Sequence, residues 1–305
     1  MCQVVIRFPT VTVACLAMFW STAATQELEH GFVTTGKVKI HYVTAGTGPL
    51  VVMIHGFPDY WYTWRKQIPE LAKHFKVVAI DQRGYNRSDQ PAGVENYKLS
   101  KLSDDVRHVI RHFGKKKSVL IGHDWGGYVA WTTAMRYPEL VDRLVILNAP
   151  HPAGLQRELR GNPDQRKNSQ YAFDLQKPDA AKQLTADSLA AWVKDSEARK
   201  KYVAAFKRSS FESMVNFYKA NYPEVPPLQN SSGTPNSFSP SFPTIKCRVL
   251  LIHGLEDKAL LPEALNDNWK WMEKELTLIT VPKAGHFVHQ DSPDLITNRI
   301  SQWLR

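Results

Sequence analysis

Cysteine is scarce in this sequence, with three among 305 residues. Cys2 and Cys15 lie near the N-terminus, and Cys247 has no second cysteine in the rest of the chain to pair with. This excludes a disulfide framework of the kind that small exported domains use. The sequence also lacks internal repeats, and its mean hydropathy of −0.36 excludes a polytopic membrane protein. Its content of 43% hydrophobic and 22% charged residues is typical of a globular protein.

Acidic residues are outnumbered by basic ones, 29 to 39, which gives a net charge of +10 and a pI of about 9.4. Such a balance can indicate a nucleic-acid partner or an anionic surface. The basic residues are scattered, however, and the densest run, Lys115–Lys117, is interpreted as a solvated loop before a strand. Zinc-finger, RNA-recognition and P-loop patterns are absent. Nucleic-acid binding is therefore not expected.

The N-terminal segment differs from the rest of the chain. It has one Arg, an apolar run from Val11 to Trp20 and small residues from Ser21 to Ala24. This order predicts a secretory signal peptide over residues 1–24 and an exported protein, either secreted or periplasmic. The apolar run is shorter than the roughly 20 residues of a membrane span. An uncleaved N-terminal membrane anchor is the alternative, and no stable membrane association is expected once the signal is removed.

Strand-like and helix-like segments alternate through residues 27–150 and resume over residues 244–305. The strand-like segments are KVKIHYV, PLVVMIHG, KVVAIDQRG, KKSVLIGHD, DRLVILNAP, CRVLLIHG and LTLITV. Repeated β-α units of this kind predict an α/β fold, with a mostly parallel sheet flanked by helices. Residues 151–243 interrupt the pattern with helical sequence that ends in a turn-rich return loop, 230–243. We therefore expect one sheet domain in two parts, with an inserted helical cap.

The stretch GHDWGG, residues 122–127, points to catalysis. It follows an apolar strand and opens a helix, which is the context of the G-x-S-x-G nucleophile elbow of α/β-hydrolases. Asp124 occupies the serine position. Asp257 and His286 each follow a later strand, in the chain order nucleophile, acid, histidine. Ligand sites of open α/β sheets form at the carboxyl ends of the strands, so these three are the candidate catalytic residues.

Each of these candidates has an alternative. An Asp after a strand can be only a helix cap. Asp257 adjoins Glu256, and His286 lies near His289, which lacks the preceding glycine. Asn148 follows another strand at which a catalytic acid could stand, but an amide cannot carry the negative charge.

Two further histidines, His108 and His112, are four residues apart on a predicted helix and could bind zinc. The sequence suggests no third ligand for them. An exposed helix face is the better interpretation, and no metal or other cofactor is expected.

A carboxylate in the nucleophile position changes the chemistry. An alkylated serine is an ether, which water does not readily cleave, so the enzyme would not be regenerated. A carboxylate that attacks a saturated carbon forms an ester, which water can cleave. The carboxylate is ionised at neutral pH, with a reference pKa of about 3.9, and needs no base for this attack. His286, oriented by Asp257, is then free to activate water for the second step. Asp124 therefore indicates an epoxide or an alkyl halide as the target.

The stretch HGFP, residues 55–58, follows an earlier strand. An HG-x-P turn in this position supplies a backbone N–H to an oxyanion hole. We assign the hole to Phe57 and to Trp125, the residue after the nucleophile. Phe57, Pro58 and Trp125 are also expected to line the substrate pocket.

These motifs resemble those of the α/β-hydrolase-fold epoxide hydrolases over nearly the whole chain after the signal segment. The matching stretches are HGFPDYWYTWRKQIPEL, DQRGYNRSDQP, GHDWGGYVAW, GLEDKALLPE and AGHFVHQDSP. One departure is Asn86 in RGYNRS, where glycine is commoner. Only a local cost in backbone conformational energy is expected, because Asn tolerates left-handed backbone angles. Haloalkane and fluoroacetate dehalogenases share the scaffold and the aspartate, so these motifs alone do not decide the leaving group.

The resemblance also implies two cap tyrosines that protonate the alkoxide of an opening epoxide. Tyr171 in SQYAFDLQKP and Tyr218 in SMVNFYKANYP lie in the matching segments, and Tyr222 is a rival for the second role. The alternative is that these tyrosines only pack between helices. A halide would instead need two N–H donors. Trp125, the residue after the nucleophile, would fit the first, but Phe57 stands where many dehalogenases have Asn and has no side-chain donor. Fluoroacetate dehalogenases usually carry Arg where Trp125 stands.

The sequence therefore predicts an epoxide hydrolase that acts on a small neutral epoxide and water. A dehalogenase that uses the same nucleophile is the enzymatic alternative. An exported binding protein that kept the fold is a more distant one, because no catalytic position has been lost. The physiological epoxide and the oligomeric state are not indicated.

Overall fold

Eight strands form a sheet in the order β1-β2-β4-β3-β5-β6-β7-β8. Their bounds are β1 (Glu29–Thr35), β2 (Val38–Ala45), β3 (Leu50–Ile54), β4 (Lys76–Ile80), β5 (Ser118–His123), β6 (Val141–Leu147), β7 (Arg248–Gly254) and β8 (Leu276–Val281). β2 pairs antiparallel with both β1 and β4, and the pairs from β4 across to β8 are parallel. The predicted α/β class with a mostly parallel sheet is confirmed.

The structure is a computed structural model that describes residue 1, residues 28–224 and residues 241–305. The predicted signal peptide and most of the predicted return loop lie outside the described residues, and both stay predictions. Within the described ranges, no helix has the length and apolarity that crossing a membrane requires.

β1 is a strand that the sequence analysis did not predict. It joins β2 through a hairpin whose turn contains Gly36 at a φ of 63°. It lies at the edge of the sheet, and Phe32 on it is 51% exposed. Because an edge strand is only partly buried, its sequence EHGFVTT has no apolar run to identify it.

Five α-helices belong to the two sheet-forming parts of the chain. They are α1 (Ile68–Leu71), α2 (Leu99–His112), α3 (Trp125–Arg136), α10 (Val288–Asp291) and α11 (Pro293–Leu304). Short 3₁₀ helices add Trp61–Lys66, Val94–Tyr97, Pro138–Leu140, Pro262–Leu265 and Asn268–Trp271. Between β3 and β4 the chain thus forms a 3₁₀ helix followed by the single-turn α1. Pro69 has no N–H to continue the helical hydrogen bonds, which accounts for the break.

Residues 152–221, between β6 and β7, form the inserted helices. They are α4 (Pro152–Gly161), α5 (Pro163–Asn168), α6 (Gln170–Asp174), α7 (Ala186–Leu189), α8 (Ser196–Phe206) and α9 (Phe211–Asn221), with a 3₁₀ helix at Ala180–Gln183. We call these residues the cap. Their position follows from the connection between two adjacent parallel strands, which leaves the sheet at its carboxyl edge.

The cap is fastened to the sheet domain where α9 begins. The Ser210 N–H donates to the Gly84 carbonyl, 3.2 Å away, and the Asn86 N–H donates to the Ser209 hydroxyl, 2.8 Å away. The Arg208 guanidinium donates to the Asn86 side-chain oxygen at 2.9 Å. Asn86 has a φ of 47°, in the left-handed region that Asn tolerates. The residue that departs from the usual glycine therefore supplies a side chain that ties the cap to the core.

Apolar side chains cover both faces of the sheet. On β3, Val52 and Ile54 belong to one core cluster, and Val51 and Met53 belong to the other. All four side chains are fully buried. Burial on both faces explains why the inner strands are continuous apolar runs instead of alternating sequences.

The turn after β5 packs closely against β3. A Cβ atom on Gly126 would lie 2.1 Å from the Ile54 carbonyl oxygen, and one on Gly122 would lie 2.4 Å from the Gly126 carbonyl oxygen. Neither approach is possible without moving backbone. The two glycines therefore let α3 begin directly against the sheet, which fixes the position of Asp124 between them.

Replacing Gly126 with Ala is expected to destabilise the protein by about 2 kcal/mol or more, because the new methyl group overpacks a rigid backbone contact. The matched control is Gly161→Ala, on the exposed end of α4, where a Cβ atom meets nothing within 4 Å. That change is expected to stabilise by up to about 1 kcal/mol, because alanine is the better helix former. Urea unfolding measures both. Equal stability of the two variants would contradict the packing argument.

Candidate active site

Asp124 lies between the end of β5 and the start of α3. Its backbone has a φ of 53° and a ψ of −122°, and its side chain does not cap the helix. A non-glycine residue in such a conformation costs about 1–3 kcal/mol and persists only where the surroundings impose it. The alternative that Asp124 is only a helix cap is therefore wrong, and the turn presents its carboxylate at the carboxyl edge of the sheet.

The loop after β3 reaches the same carboxylate. The Phe57 N–H donates to Asp124 Oδ1 at 2.7 Å, and the Phe57–Pro58 peptide bond is cis. A Cβ atom on Gly56 would lie 2.4 Å from Asp124 Oδ1, so glycine is needed there. Trp125 is the first residue of α3, and an amide in the first helical turn has no partner within its helix. The structure thus brings the Phe57 N–H to the Asp124 carboxylate, and the assignment of the Trp125 N–H to the oxyanion hole stays a prediction.

His286 lies between two carboxylates. Its Nδ1 is 2.8 Å from Asp257 Oδ2, and its Nε2 is 3.4 Å from Asp124 Oδ2. The other Asp257 oxygen accepts the backbone N–H groups of Ala259 and Leu260, at 2.8 and 3.0 Å. The three predicted catalytic residues therefore form one chain of contacts, and Asp257 is held by backbone donors as well as by the imidazole.

These charges alter one another's acidity. Burial alone would lower the pKa of His286, but the negative charges of Asp257 and Asp124 outweigh it and raise this pKa to about 10. Burial would raise the pKa of Asp257, but the charge and hydrogen bond of His286 hold it well below its ordinary value. At neutral pH the site therefore holds an imidazolium between two carboxylates.

Asn148 supports this arrangement, a role that the sequence analysis did not assign to it. Its side-chain N–H donates to Asp257 Oδ2 at 2.8 Å and approaches the Gly285 carbonyl at 3.3 Å. His123 also contacts this loop: its ring N–H donates to the His286 carbonyl at 2.8 Å. Both partners hold the loop that carries His286. The signal was present in the sequence: Asn148 follows β6, the strand between β5 and β7.

The alternatives to Asp257 and His286 are not positioned to act. Glu256 is exposed, whereas Asp257 is 1% exposed and faces His286. His289 is buried, and its Nε2 pairs with the Thr63 hydroxyl at 2.6 Å.

The possible zinc pair is also explained by its surroundings. His108 Nδ1 is bonded to the Asp104 carbonyl at 2.7 Å, and the His112 ring packs near Tyr42 and Phe113. In the described part of the chain, no third ligand joins them in a group with metal-ligand spacing.

One group of described side chains does have that spacing. Asp59, His123 and His289 are buried, and their ligand atoms lie within 4.8 Å of one another. Burial raises the pKa of Asp59 to about 7 and lowers that of His123 to about 4, so the imidazole is neutral. The Tyr202 hydroxyl donates to Asp59 at 2.8 Å. This group could hold a cation. The Tyr202 bond joins Asp59 to the cap, and the pairing of His289 with Thr63 joins the segment after His286 to the residues that follow β3.

A cavity of about 700 Å³, including its open mouth, leads to Asp124 from the space between α3 and the cap. The described residues that line it are Leu99, Asp124, Trp125, Tyr128, Thr132, Met135, Pro152, Leu155, Gln156, Tyr171, Tyr218, Asn221, Tyr222, Pro223, Phe242 and Leu260. Among these, Asp124 is the one charged side chain. The wall suits a neutral, mostly apolar ligand.

Of the three residues expected to line the pocket, Trp125 does so, and Phe57 and Pro58 are not among the described lining residues. The Phe57 ring packs edge-to-face against Tyr218, with centroids 5.3 Å apart, and only 8% of Phe57 is exposed. Phe57 therefore supports the wall from behind Tyr218 and contributes its backbone N–H to the site.

Tyr171 on α6 and Tyr218 on α9 both line the cavity, with ring centroids 6.1 Å apart. Loss of hydration raises the pKa of both hydroxyls well above the ordinary value, and the charge of Asp124 adds to the rise. Tyr222, the rival for the second role, also lines the cavity, and burial raises its pKa to about 12. All three are protonated at neutral pH and can donate a proton.

Known proteins share both the sequence pattern and the fold. A profile of the α/β hydrolase fold matches residues 49–293. Epoxide hydrolase 1 of Caenorhabditis elegans is 32% identical over 301 residues, covering 90% of this chain and 69% of that protein. AB hydrolase superfamily protein YfhM of Bacillus subtilis is 33% identical over 290 residues, which cover 90% of this chain and 97% of that protein. A solved structure of novel epoxide hydrolases in metagenomes from hot environments has a TM-score of 0.83 and 31% identity. The match covers 92% of this chain and 99% of that chain.

Replacing Asp124 with Asn is expected to lower the pKa of His286 from about 10. The change removes one of the two negative charges that favour the imidazolium, and such a charge is worth about 1–3 pKa units. Titration of the His286 ring by NMR measures the shift. The control is Asp142→Asn, an exposed change at the other end of β6, which is expected to leave this pKa unchanged. An unshifted pKa in the Asp124 variant would mean that Asp257 alone sets it.

Proposed function

This chain is a hydrolase that belongs to the α/β-hydrolase family, and we propose that it is an epoxide hydrolase, which converts an epoxide to a vicinal diol through an ester on Asp124. One observation carries the proposal. A carboxylate occupies the strained turn after β5, in a cavity whose wall also holds the hydroxyls of Tyr171 and Tyr218. Two of the proteins compared above are epoxide hydrolases by name, which supports the same reaction.

In the first step, Asp124 Oδ2 attacks one carbon of the epoxide ring, and the bond from that carbon to the ring oxygen breaks. The products are an ester and an alkoxide, which is a very poor leaving group unless it receives a proton. Tyr171 or Tyr218 donates this proton. The attack also removes the negative charge of Asp124, which helps to hold both tyrosine pKa values high. The hydroxyls therefore become stronger acids as the alkoxide forms.

Ester formation also changes the state of His286. With Asp124 neutral, Asp257 alone still favours the imidazolium, and the pKa of His286 falls below its resting value of about 10. The imidazolium proton returns the tyrosinate to its neutral form through water in the cavity. His286 is then neutral and becomes a base only after the ester exists. This order prevents the base from competing with the first step.

In the second step, His286 takes one proton from a water molecule, whose oxygen adds to the ester carbonyl carbon. The resulting oxyanion is the oxygen that already accepts the Phe57 N–H at 2.7 Å, and the Trp125 N–H is the second donor. Collapse expels the diol oxygen, which takes the second proton of the water. The products are the diol, a carboxylate on Asp124 and an imidazolium on His286, which is the resting state.

Dehalogenation would use the same nucleophile, but it needs N–H donors for a halide and no proton donor. Phe57 has no side-chain N–H to bind a halide, and Tyr171 and Tyr218 would have no role as proton donors in dehalogenation. A binding protein without catalysis would have no use for an imidazole held 2.8 Å from one carboxylate and 3.4 Å from another. The charge arrangement and the tyrosines thus both favour epoxide hydrolysis.

The His286→Gln variant is expected to accumulate the ester. Attack by Asp124 needs no base, whereas hydrolysis of the ester does, so the first step survives and the second is blocked. Mass spectrometry of the digested variant after exposure to an epoxide should find the mass of the substrate added to the peptide that contains Asp124.

Two controls accompany this measurement. Asp124→Ala should gain no mass, and Glu256→Gln, beside the acid but exposed, should turn over without accumulating an adduct. Consumption of epoxide by the His286 variant without an adduct would disprove the two-step scheme.

The double variant Tyr171→Phe/Tyr218→Phe is expected to open epoxides about 10²–10⁴-fold more slowly, because both proton donors are lost while the ring packing is kept. Each single variant should be less affected, since the other hydroxyl partly replaces the missing one. Single-turnover formation of the Asp124 ester measures the rate, with an epoxide and a bromoalkane of similar size compared. Any slow reaction with the bromoalkane should survive, because bromide leaves without a proton.

The control is Tyr137→Phe, outside the cavity, which should open epoxides at the parental rate. If the double variant Tyr171→Phe/Tyr218→Phe also opens epoxides at the parental rate, the two cap tyrosines are packing residues and the proton comes from another group.

A further inference from the structure

The cavity follows one face of α3. Trp125, Tyr128, Thr132 and Met135 line it, at intervals of three, four and three residues, which is the spacing of a single helical face. Asp124 stands immediately before the first of them. The cavity therefore runs lengthwise along the helix, starting at the nucleophile.

The length of this cavity follows from the helix geometry. With a rise of about 1.5 Å per residue, Tyr128 lies about 6 Å from Asp124 along the axis, Thr132 about 12 Å and Met135 about 16 Å. An extended alkyl chain with C–C bonds of about 1.5 Å advances about 1.25 Å per carbon. The channel thus accommodates a chain of about twelve carbons.

The two ends of the channel differ. Near Asp124, Trp125 is 6% exposed and Tyr218 is 2% exposed, so the wall is closed on their side, whereas Tyr171 on α6 is 37% exposed. Thr132 and Met135, at the far end, are both partly exposed. On the His286 side of the nucleophile, Phe287 stacks on Trp192 with ring centroids 3.5 Å apart, and neither residue lines the cavity. The channel therefore opens to solvent at one end and has the nucleophile at the other.

The wall of the channel also restricts the chemistry of the chain. Beyond Asp124, its described lining residues are apolar, aromatic or uncharged polar, and none carries a positive charge that could pair with a carboxylate or phosphate in the channel. Leu155 of α4 and Met135 of α3 are apolar and unbranched at Cβ, typical of a slot for a flexible hydrocarbon. A charged group inside the channel would lose its hydration without a partner.

We infer that the substrate is a terminal epoxide carrying one long, unbranched apolar chain, which enters epoxide first and lies along α3. This inference rests on the proposed function and narrows it. An epoxide in the middle of a chain would need space on both sides of Asp124, whereas the described lining residues of α3 extend the cavity in one direction from it.

The first test compares 1,2-epoxydecane with trans-5,6-epoxydecane, which have the same number of carbons and nearly the same polarity. The terminal epoxide is expected to have a kcat/KM about 100-fold higher or more, because the internal one must place an alkyl arm against a closed wall. Diol formation is measured by gas chromatography.

The second test measures how kcat/KM depends on chain length, with 1,2-epoxyalkanes from epoxybutane to epoxyhexadecane. Each added methylene inside the channel should raise kcat/KM by up to about fourfold, and the increase should end at about twelve carbons. Thr132→Phe places a ring about 12 Å from Asp124, and it should lower the kcat/KM ratio of epoxydodecane to epoxyhexane about tenfold or more. Met135→Phe, one turn nearer the mouth, should lower that ratio less.

The matched control is Glu139→Phe, which adds the same ring on the exposed turn after α3 and should keep the parental chain-length profile. Three outcomes are distinguishable. Hydrolysis of none of these epoxides would overturn the proposed function. Comparable rates for the terminal and the internal epoxide, or a chain-length profile that Thr132→Phe leaves unchanged, would overturn the channel while epoxide hydrolysis stands.

Discussion

A single imidazole shared by two carboxylates is the interaction on which the rest of this site depends. Two anions cannot both remain charged in a buried site without a cation between them, and His286 supplies it, 2.8 Å from Asp257 and 3.4 Å from Asp124. In the proposed mechanism, this arrangement keeps negative charge on Asp124 and a proton on His286 until the ester forms. Formation of the ester then neutralises Asp124 and lowers the pKa of His286. Burial is the main cause of the raised pKa values of Tyr171 and Tyr218, and the charge on Asp124 adds to the rise, so the same bond change would also affect these two hydroxyls.

The sheet explains why these groups meet. Asp124, Asn148, Asp257 and His286 follow β5, β6, β7 and β8, which are four consecutive neighbours in the parallel part of the sheet. Parallel strands end at the same edge, so four segments far apart in the chain present their next residues side by side. Glycines at the turn allow the loop after β3 to close over the nucleophile from the other side. The precision of the site thus comes from strands that are buried on both faces.

Much of this could be predicted from the sequence, and the reasons are local. The α/β class followed from apolar runs separated by amphipathic helices. The nucleophile, histidine and acid followed from their positions after strands and from motifs that resemble one family. The edge strand β1 could not be predicted, because partial burial leaves no apolar pattern. The role of Asn148 was missed because the position after β6 was considered only for a charged acid, and an amide that holds the acid in place was not considered.

The cavity was the least predictable feature, because its shape depends on how the cap lies over α3. Phe57 was expected in its wall and instead lies behind Tyr218, a difference decided by the packing of two rings. A motif can identify the residue that donates a backbone N–H, but it does not say where the side chain goes. The face of α3 that lines the channel contains mainly apolar residues, and its sequence alone does not distinguish a cavity wall from a packed core.

The attachment of α9 to the core has a consequence for motion. Three hydrogen bonds join the residues just before α9 to Gly84 and Asn86, so the helix that carries Tyr218 moves with the sheet domain. Tyr171 lies on the five-residue α6, directly after α5, and α5 is also tied to the sheet domain. The Gln165 side chain donates to the Ala259 carbonyl and accepts the Leu261 N–H, both at 2.8 Å. Both helices that carry the cavity tyrosines are therefore anchored to the segments that follow the strands, and the separation of the two rings is set by the sheet domain as well as by packing within the cap.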